Sequence, residues 1–300
     1  MTTAVTISGY GPPSVLHVDE IEVGAPGPRQ VRVAVTHAGV GPTDLAIRAG
    51  HLDAVYPVRP GGVLGFEAAG TVEAVGAEVD GVAVGDEVAV HLPGPLGGYA
   101  AAVVADYWVR RPPSVSPAVA AALPASGEAA VRALSLLDVR AGETLLLLGG
   151  NGSVGAIALQ LALARGATVV TTVRPADFAA VEARGAVPVD YHRPLGEAVT
   201  SGVDAVLDAS GHSDLRAAVA LAGGPARVLT LSDPRAGELG ATLSSPDPAT
   251  VGAGLQEAMD RLADGSLTVP EPTVLPLDRA ADVHTRLEAG TLRGKVVLAL

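Results

Sequence analysis

The chain has 300 residues, 48% of them hydrophobic and 17% charged, with a formal net charge of -12. That length suggests about two domains, and the acidic balance argues against the basic face needed to neutralise nucleic-acid phosphates. No cysteine is present, which excludes disulfides, thiolate nucleophiles and cysteine-ligated zinc.

The first residues, Met1 to Val5, show no basic region leading into an apolar core, so no signal peptide is visible. No uninterrupted apolar run reaches the ~18 residues that span a bilayer. The expectation is a soluble cytoplasmic protein with no membrane or nucleic-acid partner. Up to about residue 110, short strands dominate. Residues 31–36 alternate apolar and polar side chains, and 70–76, 86–90 and 99–104 are similar. Gly and Pro punctuate them, as in an all-β barrel or sandwich. Past Pro112 and Pro113 the pattern turns helical: Ser116 reads as an N-cap with Pro117 at the first helical position, and 126–137 as a second helix.

Strands and helices then alternate. Strands are expected at 144–148, 168–172, 187–189, 205–208 and 226–231, with a helix from about Ala176. Repeated βα units of this length predict a parallel sheet with helices on both faces. The apolar run Leu145 to Leu148 enters a turn containing Gly149, Gly150, Asn151, Gly152, Ser153, Val154 and Gly155, then a helical stretch. Strand, glycine turn and helix in that order form a dinucleotide fingerprint. Missing side chains let backbone N–H groups approach a pyrophosphate, and the helix N-terminus adds partial positive charge. The alternative is a glycine-rich turn without a ligand. From about Pro270, a strand at 273–275, a helix at 278–287 and a strand at 295–300 return to the β domain. The expected division is 1–115 with 270–300 around a nucleotide-binding domain, 116–269.

These motifs together resemble the medium-chain dehydrogenase/reductase superfamily, in its zinc-independent quinone oxidoreductase and enoyl reductase branch. Gly65-Phe66-Glu67-Ala68-Ala69-Gly70 is similar to the family's Gly-x-Glu-Ala-Ala-Gly segment, and Gly85-Asp86-Glu87-Val88 to its Gly-Asp-x-Val turn. Gly152-Ser153-Val154-Gly155 matches its cofactor turn, Asp190-Tyr191 the sequence after its third Rossmann strand, and Gly294-Lys295-Val296-Val297-Leu298 its last strand. The resemblance implies an α/β protein: a GroES-like β-barrel domain split around a Rossmann domain, a doubly wound parallel sheet, with the active site in the cleft between them. It also implies a homodimer joined through sheet edges, for which residues 227–231, with 271–275 nearby, are the candidate edge.

Where zinc members of the family carry Cys and His, this chain has Gly41-Pro42 and, before the glutamate, Phe66. Only 91–98 bridges the gap where a structural-zinc lobe would fall. No metal site is expected, and Asp44 and Glu67 are expected to be structural rather than catalytic. Quinone oxidoreductases often carry Asn where Gly41 stands. A family Leu-Thr-Ala segment appears here as Glu128-Ala129-Ala130, so Glu128 is either a group beside the nicotinamide or a helix-start carboxylate complementing the dipole. Thr43 and Glu128 are both taken as cofactor-side positions.

NAD readers place a carboxylate at the end of the second strand, about 20 residues beyond the turn. Here that strand ends in Arg174, whose guanidinium suits a 2′-phosphate. NADPH is therefore expected over NADH, with a solvated surface arginine as the alternative reading. Tyr191 is placed at the adenosine side by the resemblance, and Arg193 is a weaker phosphate candidate. Without metal, a saturated alcohol is a poor substrate. A conjugated carbonyl (enone, enoyl thioester or quinone) needs only one or two hydrogen bonds to stabilise an enolate. With only 3% aromatic residues, few rings are available to stack on a quinone, which favours an enone or enoyl substrate, such as a secondary-metabolite intermediate. Tyr56, His51 and His91 are the candidate catalytic residues, each with an alternative as a lining, surface or packing residue. Two other readings stay open: an NADPH-binding cyclase, isomerase or binding protein with no net redox turnover, and a dehydrogenase running oxidatively, which the missing zinc disfavours.

Overall fold

The alternation in strand Val31–Val40 puts Val31, Val33 and Val35 on one buried face. In this computed structural model that strand lies inside a seven-stranded sheet. Its antiparallel neighbours are Glu67–Val75, Ala102–Ala105 and Val296–Ala299. Glu87–His91 and Tyr107–Arg110 continue the sheet on one side, and Thr273–Pro276 closes the other. Two register shifts between Val31–Val40 and Glu67–Val75 bend the pair, as bulges do in curved sheets. A three-stranded sheet of Leu16–Ile21, Thr2–Ile7 and Gly62–Val63 accompanies it. The structure describes residues 1–94, 96–200 and 202–300; Pro95, within the 91–98 bridge, lies outside the described residues.

By its contacts the chain divides into two units, Met1–Ala125 with Leu255–Leu300, and Ser126–Gly254. Both limits fall inside the 116–269 segment expected from composition. The reason is packing. Helix Pro117–Ala122, whose N-cap Ser116 accepts from Val119 N at 3.2 Å, packs on Val31–Val40 and Glu67–Val75. A change to helical sequence does not by itself mark where the core changes.

The second unit is a six-stranded parallel sheet. Its strands run in the order Val187–Asp190, Thr168–Val173, Thr144–Leu148, Ala205–Asp208, Val228–Thr230, Thr242–Leu243. Numbered within the unit, this is 3-2-1-4-5-6, the Rossmann order. Leu145 to Leu148 are at most 1% exposed because the central strand is covered on both faces. Two expectations need correction. Residues 227–231 are not the sheet edge, since Thr242–Leu243 pairs outside Val228–Thr230. Residues 271–275 do not serve this sheet either, because Thr273–Pro276 pairs with Val296–Ala299. A two-residue strand carries no readable periodicity, so the sixth strand was invisible in sequence. The helix expected from Ala176 begins with a 3-10 turn, Pro175–Asp177, and becomes α-helical at Phe178–Glu182. Among the described residues no helix is long and apolar enough to cross a membrane.

Candidate active site

The glycine turn sits where the strand order reverses, at the carboxyl end of Thr144–Leu148, the usual ligand position in open α/β sheets. Gly149 takes φ +87°, a left-handed conformation that suits glycine. A Cβ on Gly155 would lie 2.1 Å from Gly149 O, so the helix can approach the strand only without a side chain there. Helix Ser153–Ala164 starts at Gly152 with no side-chain cap, so its first N–H groups face outward without a built-in acceptor. Asn151, Gly152 and Ser153 are exposed and Val154 half-buried. This cradle fits a pyrophosphate: uncapped N–H groups, positive helix end and no bulk in the way.

Arg174 ends the second strand's run, half-exposed, with its guanidinium against Asp177. Nε donates to Oδ2 at 2.8 Å and Nη2 to Oδ1 at 3.3 Å. The pair raises Arg174's pKa further. Tyr191 is exposed and stacks at 4.1 Å on His192, whose ring and N–H engage Asp190. Arg193 is exposed. Glu128 is buried at 1% exposure, and Arg132 holds its carboxylate with Nε at 2.8 Å and Nη2 at 3.2 Å. Arg132 also donates to Ser244 Oγ. Glu128 lies beyond the first turn of helix Pro124–Leu136, and its carboxylate serves an i,i+4 ion pair with Arg132 rather than the dipole.

In the other unit, Gly41 caps helix Pro42–Arg48, and Thr43 is exposed in its first turn. Asp44 accepts from Gly41 N at 2.8 Å and Gly65 N at 3.0 Å, tying the loop before the helix to the loop before Phe66. Burial pushes the Asp44 carboxyl up to about 7; the neighbouring Glu67 charge adds to the rise, while the two N–H donors and Lys295 oppose it. The Tyr99 hydroxyl hydrogen-bonds Asp44 and lies 3.2 Å from His284 Nε2. Burial, then the Asp44 and Glu67 charges, raise the Tyr99 phenol well above its usual range. His284 is fully buried and pushed down to about 3 by burial and by the Arg48 charge, so it is neutral. Glu67 is paired with Lys295 and accepts from Ala125 N at 2.8 Å. A Cβ on Gly39 would fall 2.3 Å from Glu67 Oε1, so Gly39 makes room for the carboxylate.

Tyr56 and His91 converge on Phe66. The Tyr56 ring meets Phe66 edge-on at 5.2 Å, and His91 Nδ1 lies 3.2 Å from Phe66 O. His91 is 3% exposed. His51 stands apart from that group of contacts: it is exposed, its N–H closing onto Ala46 O. The residues not anticipated are Lys295, Tyr99, His284 and Arg48. One signal was available for Lys295, the only lysine among 20 basic residues.

Comparison with known proteins places these features in context. The family model "Alcohol dehydrogenase GroES-like domain" matches residues 27–109, and "Zinc-binding dehydrogenase" matches 165–298. A quinone oxidoreductase from Pseudomonas aeruginosa is 37% identical over 176 residues; the match covers 58% of this chain and 53% of the relative, about half its length. The Arabidopsis thaliana chloroplastic NADPH-dependent alkenal/one oxidoreductase is 29% identical, with 97% of this chain and 78% of the relative covered. The solved quinone oxidoreductase of Pseudomonas syringae pv. Tomato DC3000 aligns over 100% of both chains, with TM-score 0.84 and 31% identity.

Proposed function

The chain belongs to the medium-chain dehydrogenase/reductase superfamily, and from that membership we propose that it is an NADPH-dependent reductase of conjugated carbonyls: enones, enoyl thioesters or quinones. The observation that carries the reading is the glycine cradle at the sheet's switch point, with an uncapped helix start and no room for a side chain at Gly155. The relatives named for quinone and alkenal/one chemistry support the substrate class. NADPH, when bound, supplies the hydride.

The chain's residues divide the remaining work. Ser153, Val154 and Gly155, with Asn151 beside them, hold the pyrophosphate through the N–H groups of the helix start, while Gly149 and Gly152 shape the turn, their N–H groups donated to Thr172 Oγ1 and Gly149 O. Arg174 faces the 2′-phosphate, and Tyr191 covers the adenosine side. Thr43, exposed beside Gly41, is assigned to the nicotinamide end. Tyr56 is the assigned proton donor, its ring braced edge-on by Phe66. His91 positions Phe66 through its carbonyl. Metal plays no part in this reading, because Gly41 and Phe66 bring no ligand atoms and the chain has no cysteine. The alternative without net redox turnover loses one of its two motives, since Arg132 already occupies the Glu128 carboxylate. A cytoplasmic homodimer, associating through the outer side of Thr242–Leu243, completes the proposal.

The test follows reduced-nicotinamide absorbance with purified protein against a panel of enones, enoyl thioesters and quinones. Substrate-dependent NADPH loss, reduced at least tenfold in kcat by Tyr56→Phe with KM little changed, supports the assignment. NADPH binding with no consumption across the panel refutes it.

A further inference from the structure

The turn after the second strand of the nucleotide-binding unit holds a feature that the reductase reading does not use. Arg174, the cation assigned to the 2′-phosphate, already carries a carboxylate. Asp177 engages it side-on, with Nε to Oδ2 at 2.8 Å and Nη2 to Oδ1 at 3.3 Å. The pair is locked locally, because Asp177 N–H donates to Arg174 O at 2.9 Å across the turn that Pro175 begins. The second nearby carboxylate is spoken for: Asp190, in register with Val173, accepts from His192 N at 3.0 Å and sits 2.7 Å from its ring nitrogen. Asp177 is therefore the acidic group that shares Arg174.

A side-on carboxylate leaves the Nη1 edge of the guanidinium open, so a phosphate can still reach Arg174. It does so beside a negative charge. A 2′-phosphate is close to a dianion, and Asp177 both repels it and cancels part of the attraction of Arg174. The same carboxylate can accept a hydrogen bond from a ribose 2′-hydroxyl, which is how NAD-selective sheets use an acidic residue near this strand end. One residue thus lowers affinity for the phosphorylated cofactor and raises it for the unphosphorylated one.

We propose that Asp177 is a cofactor-specificity residue that restrains the preference for NADPH and gives the protein usable affinity for NADH. The proposal rests on the reading of Arg174 as the 2′-phosphate cation.

Calorimetric titration of NADPH and NADH, without substrate, into the wild type, Asp177→Asn, Arg174→Ala and the double variant tests it. Asp177→Asn keeps the side chain's shape and removes the charge. It should tighten NADPH by about threefold to tenfold, as expected for a half-buried carboxylate acting on a doubly charged group that water still reaches, and weaken NADH. The gain should shrink at 0.5 M salt by screening and vanish in the Arg174→Ala background. An unchanged or lower NADPH-to-NADH affinity ratio in Asp177→Asn overturns the proposal. The parent reading fails separately: if Arg174→Ala leaves NADPH affinity intact, Arg174 is not the phosphate cation. A weaker Arg174→Ala combined with a flat Asp177→Asn retains the parent reading and removes this one. Thermal melting of each variant checks that folding is unchanged.

Discussion

Asp44→Asn isolates one buried carboxyl whose protonation is coupled to folding. Burial lifts Asp44 from 3.8 to about 7, although two backbone N–H groups and Lys295 favour its charged form. The folded protein therefore holds a proton on Asp44 that the unfolded chain releases between pH 4 and pH 7. The sign follows: stability contributed by this proton is complete below about pH 4 and is lost as pH rises through about 7. At about 1.4 kcal/mol per pH unit, the whole loss is about 4 kcal/mol. Asparagine cannot titrate. It keeps one acceptor for Gly41 N or Gly65 N and turns an amide towards the other, costing about 1–3 kcal/mol at low pH. The variant should start less stable at pH 4.5 and close the gap, or overtake the wild type, by pH 8. Trp108, the single tryptophan, lies in strand Tyr107–Arg110 of the same unit. Its fluorescence during urea unfolding at a series of pH values reports on that unit without requiring the whole chain to unfold in one step. Parallel pH profiles for wild type and variant, at constant offset, would refute the reasoning.

Lys295→Met should lower the urea midpoint followed by Trp108 by an amount corresponding to about 3–5 kcal/mol, because it strands the buried Glu67 carboxylate. Arg32→Ala, which removes the half-exposed pair with Glu73 and a donor to Val23 O, should change the same midpoint by about 1–2 kcal/mol. Gly155→Ala should lose thermal stability by about 1–3 kcal/mol together with NADPH affinity, since its Cβ meets Gly149 O at 2.1 Å. Gly152→Ala, whose Cβ comes no nearer than 3.4 Å to that oxygen, should keep its melting temperature and lose only cofactor affinity by calorimetry. Acylation of the native protein with an amine-reactive ester, read by mass spectrometry, should leave the Lys295 peptide unmodified, whereas urea-unfolded protein should be labelled there.

Local chemistry was readable wherever it repeats along the chain. The strand limits at Thr144–Leu148 follow from a continuous apolar run, and the helix after it from a glycine turn. The N-cap at Ser116 follows from a hydroxyl placed before proline. Backbone geometry imposes these patterns on neighbouring residues, so a short window contains them. Arg174 could be found in the same way, as a cation where a carboxylate was expected, and Asp177 stood three residues beyond it. Only the folded turn Pro175–Asp177 brings its carboxylate against the guanidinium.

The fate of the buried charges lay elsewhere. Tyr99 meets His284 across 185 residues, and Arg48 reaches Glu288 across 240. Glu67 finds the only lysine just before the last strand, because Val296–Ala299 returns to pair with Val31–Val40. A sequence states which groups carry charge; only the folded sheet decides which of them leave water together, and desolvation makes that pairing the costly choice. The sequence by itself therefore made the glycine turn and the alternation of strands and helices legible, but not the order of the strands in the sheet. The tertiary structure determined that the Glu128–Arg132 pair, four residues apart on one helix, is buried with Arg132 donating to Ser244, that Asp44 ties two loops together, and that Thr242–Leu243 rather than 227–231 ends the sheet.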